Sequence, residues 1–275
     1  MDSSRVLEIA AKSDAGRLRP HNEDSIGMDA PIGLAVLADG MGGYNAGEVA
    51  SGMAVSLIVS GMKAALAGVD PDELDAMNGE RLGVRILREQ VMLANSAIFN
   101  AGRRRKECEG MGTTLVAALF YDDRVSVAHL GDSRMYRFRE GRLERLTHDH
   151  SLLQEQLDSG LISKEEARIS GYKNIVTRAL GIESKVEAEI RSFDVAPQDI
   201  YLLCSDGLND MLEDEEIRLT VETLGANLEL AADQLVDLAN ENGGRDNISV
   251  ILVKVKQDSG TGKGLISRLM SSFRK

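Results

Sequence analysis

The sequence has 275 residues, 43% hydrophobic and 28% charged, which rules out a disordered chain and gives core material for one large domain or two small ones. A net charge of -12 argues against a nucleic-acid binder, which needs a basic footprint. The opening MDSSRVLEIAAKSDAG has no basic start ahead of an apolar core, no run approaches the roughly 18 apolar residues of a membrane span, and the two cysteines, Cys108 and Cys204, lie far apart, so a reducing cytoplasm is the expected location.

In chain order, the patterning predicts strands over 5–12, 25–30 and 33–38, then helices over 45–67 and 80–104. Strands follow at 112–121, 124–131 and 134–139. The polar, weakly helical segment 148–180 interrupts the series and reads as an insertion over one end of the sheets. Strands at 186–193 and 199–204, helices at 213–223 and 227–241, and a strand at 247–256 complete the pattern. From Asp258 the composition shifts, and DSGTGKGLISRLMSSFRK reads as a tail. Strands clustered mid-chain, with helices in adjacent pairs, point to packed antiparallel sheets covered by helices rather than a βαβ wind.

One grammar recurs along the chain. In GLAVLADGMGGYNAGEVASG, the apolar run Leu34–Ala38 ends on Asp39, and glycines lead into a helix. Asp-Gly alone fits a turn, but VSVAHLGDSR reaches Asp132 in the same way, and DIYLLCSDGLNDML reaches Asp206 and then a helix. Asp246 in GGRDNISVILV, and Glu23 and Asp24 in RPHNEDS, stand just before strands. Acids at several strand ends can converge on one sheet edge, where they repel and take raised pKa values unless something positive sits among them. Hard divalent cations with oxygen ligands are the natural solution. A glycine beside the acid lets a backbone carbonyl approach such an ion closely.

These stretches, in this order, resemble the metal-dependent Ser/Thr protein phosphatases of type 2C, in their compact bacterial form. GRLRPHNEDS, LADGMGG, MGTTLVAALF, VAHLGDSRMY, LTHDHSLLQEQLDSGLIS, NIVTRALG, LLCSDGLNDML and GGRDNISVILV carry the resemblance over about residues 6 to 255. It implies an α+β fold, a four-layer αββα sandwich of two antiparallel sheets flanked by helix pairs, with a flap near the active site. The implied domain is 1–257, with the flap at about 148–180 and 258–275 as a basic amphipathic or flexible tail. The implied activity is hydrolysis of phosphoserine and phosphothreonine in proteins by a water shared between metals, opposing a bacterial Ser/Thr kinase. The alternative is a catalytically weak relative that binds phosphoproteins as an adaptor.

Matched motif by motif, Asp39 bridges two Mn²⁺ or Mg²⁺ ions. Glu23 and the Gly40 carbonyl serve one of them, and Asp206 and Asp246 the other. Asp132, with Asp206, holds a third, weaker ion. Arg19 grips the substrate phosphate, for which a planar guanidinium with two parallel donors is suited, and Asn247 stands beside the last ligand. Arg19, Asp39 and Asp206 are the implied catalytic residues, and Arg19 and Asn247 the implied substrate contacts. Some eukaryotic members carry a histidine after Asp-Gly as the leaving-group acid; Met41 stands there and cannot donate a proton. The flap turn reads SGYKN, Ser170 to Asn174, where relatives often have His-Pro. The resemblance further implies phosphorylated protein partners and a monomer.

Other readings are weaker. A cysteine phosphatase needs arginine six residues after its cysteine; Asp210 follows Cys204 at that spacing and Thr114 follows Cys108, so Cys204 reads as a small core residue. His129 reads as structural, and His148 and His150 as anchors of the flap. The run Arg103 to Lys106 reads as a solvated helix end, with docking of an acidic partner as the lesser alternative. In the tail, Leu265, Ile266, Leu269, Met270 and Phe273 share a helical face ringed by cations, a pattern compatible with weak contact to an anionic membrane surface.

Overall fold

The computed structural model describes residues 7–43, 46–163, 166 and 175–256. The tail from 258 onward and the flap turn Ser170–Asn174 lie outside the described residues. The chain runs β1 (Leu7–Asp14), β2 (Asp24–Asp29), β3 (Leu34–Met41), α1 (Ala46–Ala65), α2 (Leu82–Arg104), β4 (Gly112–Thr113), β5 (Leu115–Tyr121), β6 (Arg124–Leu130), β7 (Arg134–Arg139) and β8 (Arg142–Arg145). Then come α3 (Leu152–Asp158), β9 (Glu189–Asp194), β10 (Ile200–Cys204), α4 (Asp206–Asn209), α5 (Asp214–Leu224), α6 (Leu228–Glu241) and β11 (Ile248–Val255). One antiparallel sheet has the order β1-β11-β10-β7-β8; the other has the order β2-β3-β5-β6-β9, with β4 added beside β3.

Period-two patterning produces the layers. Along β3, Leu34, Val36 and Ala38 pack toward α1 and α2, while Ala35 and Leu37 face the other sheet. Along β11, Val250 and Leu252 meet α5 and α6, while Ile251 and Val253 face between the sheets. Both faces of these strands are buried, so they read as continuous apolar runs. The helices present matching stripes: Ala46, Ala50, Ala54, Ile58 and Met62 recur every fourth residue on α1 and are all buried. Three apolar layers, helix–sheet, sheet–sheet and sheet–helix, make the αββα sandwich.

Four local departures from the expected elements matter. β3 runs on through Asp39 and Gly40 to Met41 instead of ending at Ala38, because Gly112 and Thr113 pair with Met41 and Gly40. The expected 112–121 strand divides at Thr114 without a change of register, since Leu37 still faces Val116. β8 is a short edge strand, joined to β7 by a turn with positive φ at Glu140 (51°) and Gly141 (77°), the signature of a tight hairpin. Part of the polar insertion forms α3, whose first turn is capped by Ser151 accepting from the Gln154 N–H.

Candidate metal centre

The crossovers between the two sheets bring the acids together. β1 leaves one sheet, and Glu23 and Asp24 open β2 in the other. Gly131 to Ser133 carries the chain back from β6 to β7, so Asp132 sits on the joint. Asp206 follows β10, and Asp246 precedes β11. Asp24 faces Asp39 directly across the β2–β3 pair, and the Ser205 hydroxyl donates to Asp24 across the joint at 2.8 Å.

Asp39 is fixed through its backbone. Its N–H donates to Thr114 Oγ1 at 3.0 Å. Its carbonyl accepts from Thr113 Oγ1 at 2.8 Å and from the Thr114 N–H at 2.9 Å. Its carboxylate stays out of that ladder. Burial, then Asp24, Asp206, Asp132 and Asp246 in turn, push its pKa well above the ordinary range. Asp206 is raised well above as well, by burial, then by Asp132, Asp210 and Asp246. Burial raises Asp24 and Asp132 to about 6. Burial also raises Glu23, against the pull of Arg19.

Gly40 lies where no side chain fits: a Cβ there would come 2.2 Å from the Gly47 carbonyl oxygen. The first turn of α1 closes onto the end of β3, and the Glu23 carboxylate lies against Gly47, 2.9 Å from where a Cβ would be. Arg19 Nη2 donates to Asp246 Oδ2 at 2.6 Å, which raises the arginine's pKa and leaves its remaining donors for an anion.

The expected residues therefore meet: Glu23, Asp39, Gly40, Asp132, Asp206 and Asp246 at one end of the sandwich, with Arg19 beside them. Asn247 is placed differently from the substrate contact expected of it. It is 5% exposed, its Oδ1 accepts the Glu23 N–H at 2.8 Å, and its Nδ2 donates to the Ala15 and His21 carbonyls. It positions the Glu23 segment. An ion pair of Asp132 with Arg134, the simplest structural role for that acid, is not what forms: Arg134 turns to Asp149 at 2.7 Å and to the Tyr136 hydroxyl.

Sequence reasoning counted Asp24 among the converging acids but assigned it no site role, and it gave Thr113 and Thr114 none. The pairing of β2 with β3 was the signal for Asp24. For the threonines it was two adjacent hydroxyls opposite an acid whose strand could continue.

The donor set, carboxylates with one carbonyl, is hard oxygen throughout. Among the described residues, Arg19 pairs with Asp246 while the other acids crowd one another, so the residues fit divalent cations. A cavity of about 750 Å³ opens from Asp132 and Asp206 toward α3, walled by Leu153, Gln154 and Leu157 on one side and Asp210 and Asp214 on the other. A second group, His129, His150 and Glu189, also gathers metal-binding atoms. Its imidazoles stack at 4.5 Å with planes 14° apart, so their in-plane lone pairs run side by side and do not meet at one ion. These histidines instead tie together β6, the Gly131–Asp132 turn and the segment leading into α3. His129 Nε2 bonds the His148 carbonyl at 2.7 Å, His150 Nδ1 accepts from the Gly131 N–H at 3.3 Å, and His148 Nε2 reaches Asp158 at 2.6 Å.

Comparison with known proteins agrees with this geometry. The Ser/Thr phosphatase stp of Listeria monocytogenes is 41% identical over 251 residues, covering 88% of this chain and 94% of that protein. The Ser/Thr protein phosphatase PstP of Mycobacterium tuberculosis is 40% identical over 250 residues, covering 91% of this chain and 45% of that longer protein. The crystal structure of the PstP catalytic domain, in complex with two manganese ions, superposes with a TM-score of 0.75 at 38% identity, covering 92% of this chain and 99% of that one. The model of the protein phosphatase 2C family matches residues 20–247, from the arginine side of the acid cluster to its last asparagine, and the chain belongs to that family.

Proposed function

We propose that this protein hydrolyses phosphoserine and phosphothreonine in proteins, in a reaction that requires Mn²⁺ or Mg²⁺. The convergence of Asp39, Asp206, Asp246, Asp132 and Glu23 on one sheet joint, where burial and neighbouring acids hold Asp39 and Asp206 well above the ordinary carboxylate range, carries this reading. Asp39 would be shared by two cations. Glu23 and the Gly40 carbonyl would complete one site and Asp206 and Asp246 the other, and Asp132 with Asp206 would hold a third, weaker ion. Cations held there supply a nucleophilic water at neutral pH and positive charge against the phosphoryl oxygens.

The chain's own residues do the rest. Thr113 and Thr114 lock the Asp39 backbone so that its carboxylate cannot swing away. Asn247 holds Glu23 in place. Arg19, half-exposed at the rim, presents its free guanidinium donors to the phosphate, where charge-assisted bonds strengthen as charge develops. Met41 offers no proton to the leaving group, so the proton comes from another group.

Phosphorylated proteins are the substrates on this reading, with a Ser/Thr kinase and its targets as the counterpart system. We extend the proposal to a monomer acting in the cytoplasm. Its catalytic unit is residues 1–257, the flap spans about 148–180, and the 258–275 tail makes weak contact with anionic membrane surfaces. Among the described residues, no helix is long and apolar enough to cross a membrane. The complete acid set disfavours a phosphoprotein-binding adaptor.

The deciding experiment is hydrolysis of p-nitrophenyl phosphate and of phosphothreonine peptides. Turnover should appear with Mn²⁺ or Mg²⁺ and vanish in EDTA. Full turnover in EDTA sinks the proposal.

A further inference from the structure

Four consecutive cations, Arg103 to Lys106, close α2 in a chain whose net charge is -12. All four are exposed, and among the described residues none has a carboxylate partner. The negative end of the helix dipole accounts for Arg103 and Arg104. It does not account for Arg105, which has left the helix with φ -121° and ψ 117°, or for Lys106, which starts the next turn.

The turn wraps a groove of about 540 Å³. Buried Met111 and Gly181 line it, Phe99 and Ile182 add apolar surface, and the four cations stand around it with one acid, Glu109. Arg103 lies 5.7 Å from the Phe99 ring centroid, a cation–π contact that leaves its guanidinium open on the other face.

The groove adjoins the acid cluster. Directly after Met111, β4 pairs Gly112 with Met41 and Thr113 with Gly40. Gly110 lies in a turn with φ 75°, so the three residues from Thr113 back to it span at most about 10 Å, within the length of three residues of a bound extended peptide. The cavity beneath α3, by contrast, is lined by Asp149, Asp158, Asp210 and Asp214 together with Arg134 and Arg145, and both arginines pair with Asp149.

Resting on the phosphatase reading above, we propose that the Arg103–Lys106 groove is a docking subsite for acidic residues lying three to five positions from the phosphoresidue of a protein substrate. Four cations against Glu107 and Glu109 leave a net positive patch on a molecule of net negative charge, which raises the local concentration of an acidic segment. Guanidinium forks suit carboxylates, and the apolar groove wall accepts the methylene stems between them. The cations are exposed, so the effect depends on ionic strength.

The test compares kcat/KM for three phosphothreonine peptides: neutral flanks, a block of three Glu on the N-terminal side at three to five positions, and the same block on the C-terminal side. The wild-type protein at low salt should favour one acidic peptide over the neutral one about tenfold, the sum of two or three exposed ion pairs, mainly through KM. High salt should erase the difference. Arg104→Glu with Lys106→Glu should lose or invert the preference and keep wild-type turnover of p-nitrophenyl phosphate. If that variant loses turnover of the small substrate, Arg104→Gln with Lys106→Gln decides in its place. No preference for either acidic peptide in the wild type, or a preference that survives both variants, overturns the subsite while leaving the phosphatase reading intact. Failure of p-nitrophenyl phosphate and the neutral peptide to react with Mn²⁺ overturns the phosphatase reading, and the subsite falls with it.

Discussion

Strand β10 has an aspartate at each end, and the two are held in opposite ways. Asp199, just before the strand, is 1% exposed and fully matched. Arg139 Nε donates to its Oδ1 at 2.7 Å, and the Ala196 N–H and Tyr201 hydroxyl reach its Oδ2 at 2.8 and 3.1 Å. Asp206, just after the strand, is surrounded by Asp132, Asp210 and Asp246. Six residues of chain separate them, and both are acids beside the same apolar run. An acid with its own guanidinium and donors belongs to the fold; an acid gathered with other acids is balanced only by a charge from outside the chain.

Exchanging charge at the two ends should break the comparison most sharply. Asp206→Asn, or Asp39→Asn, should remove turnover by about a thousandfold or more. The melting temperature in EDTA should stay level or rise, because repulsion is relieved. Asp199→Asn should do the reverse, lowering stability by about 1–3 kcal/mol with kcat of the folded protein unchanged. Melting curves and kinetics on the same preparations decide it: if Asp206→Asn melts lower in EDTA with little loss of rate, that acid is a turn former like any other.

Arg19→Ala should come next, with KM for a small aryl phosphate rising about tenfold to a hundredfold, the range of a charge-assisted bond. Unchanged KM and kcat would make Arg19 a surface residue whose partner is Asp246 alone.

The pH response sharpens the contrast without mutation. Asp24 and Asp132, raised by burial to about 6, hold protons more tightly folded than unfolded. The stability they contribute without metal is therefore greatest at low pH and is lost as pH rises through 6. His129, lowered by burial, and His150, lowered by burial to about 4, act in the opposite sense, because folding resists their protonation as pH falls. Cation binding needs the carboxylates ionised, so the rise in melting temperature that Mn²⁺ adds at each pH should shrink between about pH 8 and about pH 5. An increment that is flat across that window would detach the acids from the metal.

The smallest expected effect concerns His150. His150→Asn keeps an acceptor for the Gly131 N–H and should leave Mn²⁺ affinity near wild type. His150→Leu should weaken it by up to about tenfold through the Gly131–Asp132 turn, and excess Mn²⁺ should restore the rate. Equal affinities for the two variants would leave His150 a packing residue.

Much of this was legible in the sequence because apolar strands that stop at acids are a one-dimensional signal. Both sheets, the four long helices and the acids that close on each other could be read in that way. What could not be read depends on partners distant in sequence. β3 passes through Asp39 because Thr113 and Gly112 come alongside, more than seventy positions later. Arg134 leaves its neighbour Asp132 for Asp149, which only the folding of the segment ahead of α3 brings within reach. Asn247 looks like a site residue until its amide is seen bonding three backbone groups near Glu23. β8 escaped notice because a four-residue edge strand carries more charge than pattern.

The joint between the sheets has a mechanical consequence. Asp39 and Gly40 lie in one sheet with Glu23 at the head of its β2, while Asp206 and Asp246 flank β10 and β11 of the other. An ion shared among them is therefore a rivet between two plates that repel at that edge. Taking it out should let the edge breathe. Amide exchange should quicken at Asp39, Gly40, Asp206 and Gly207, while β10 stays protected near Asp199, where Arg139 fastens the far end from within. The molecule is then stiff at one end by sequence and at the other by ion supply, and the cation level of its surroundings sets how tightly the working edge is closed.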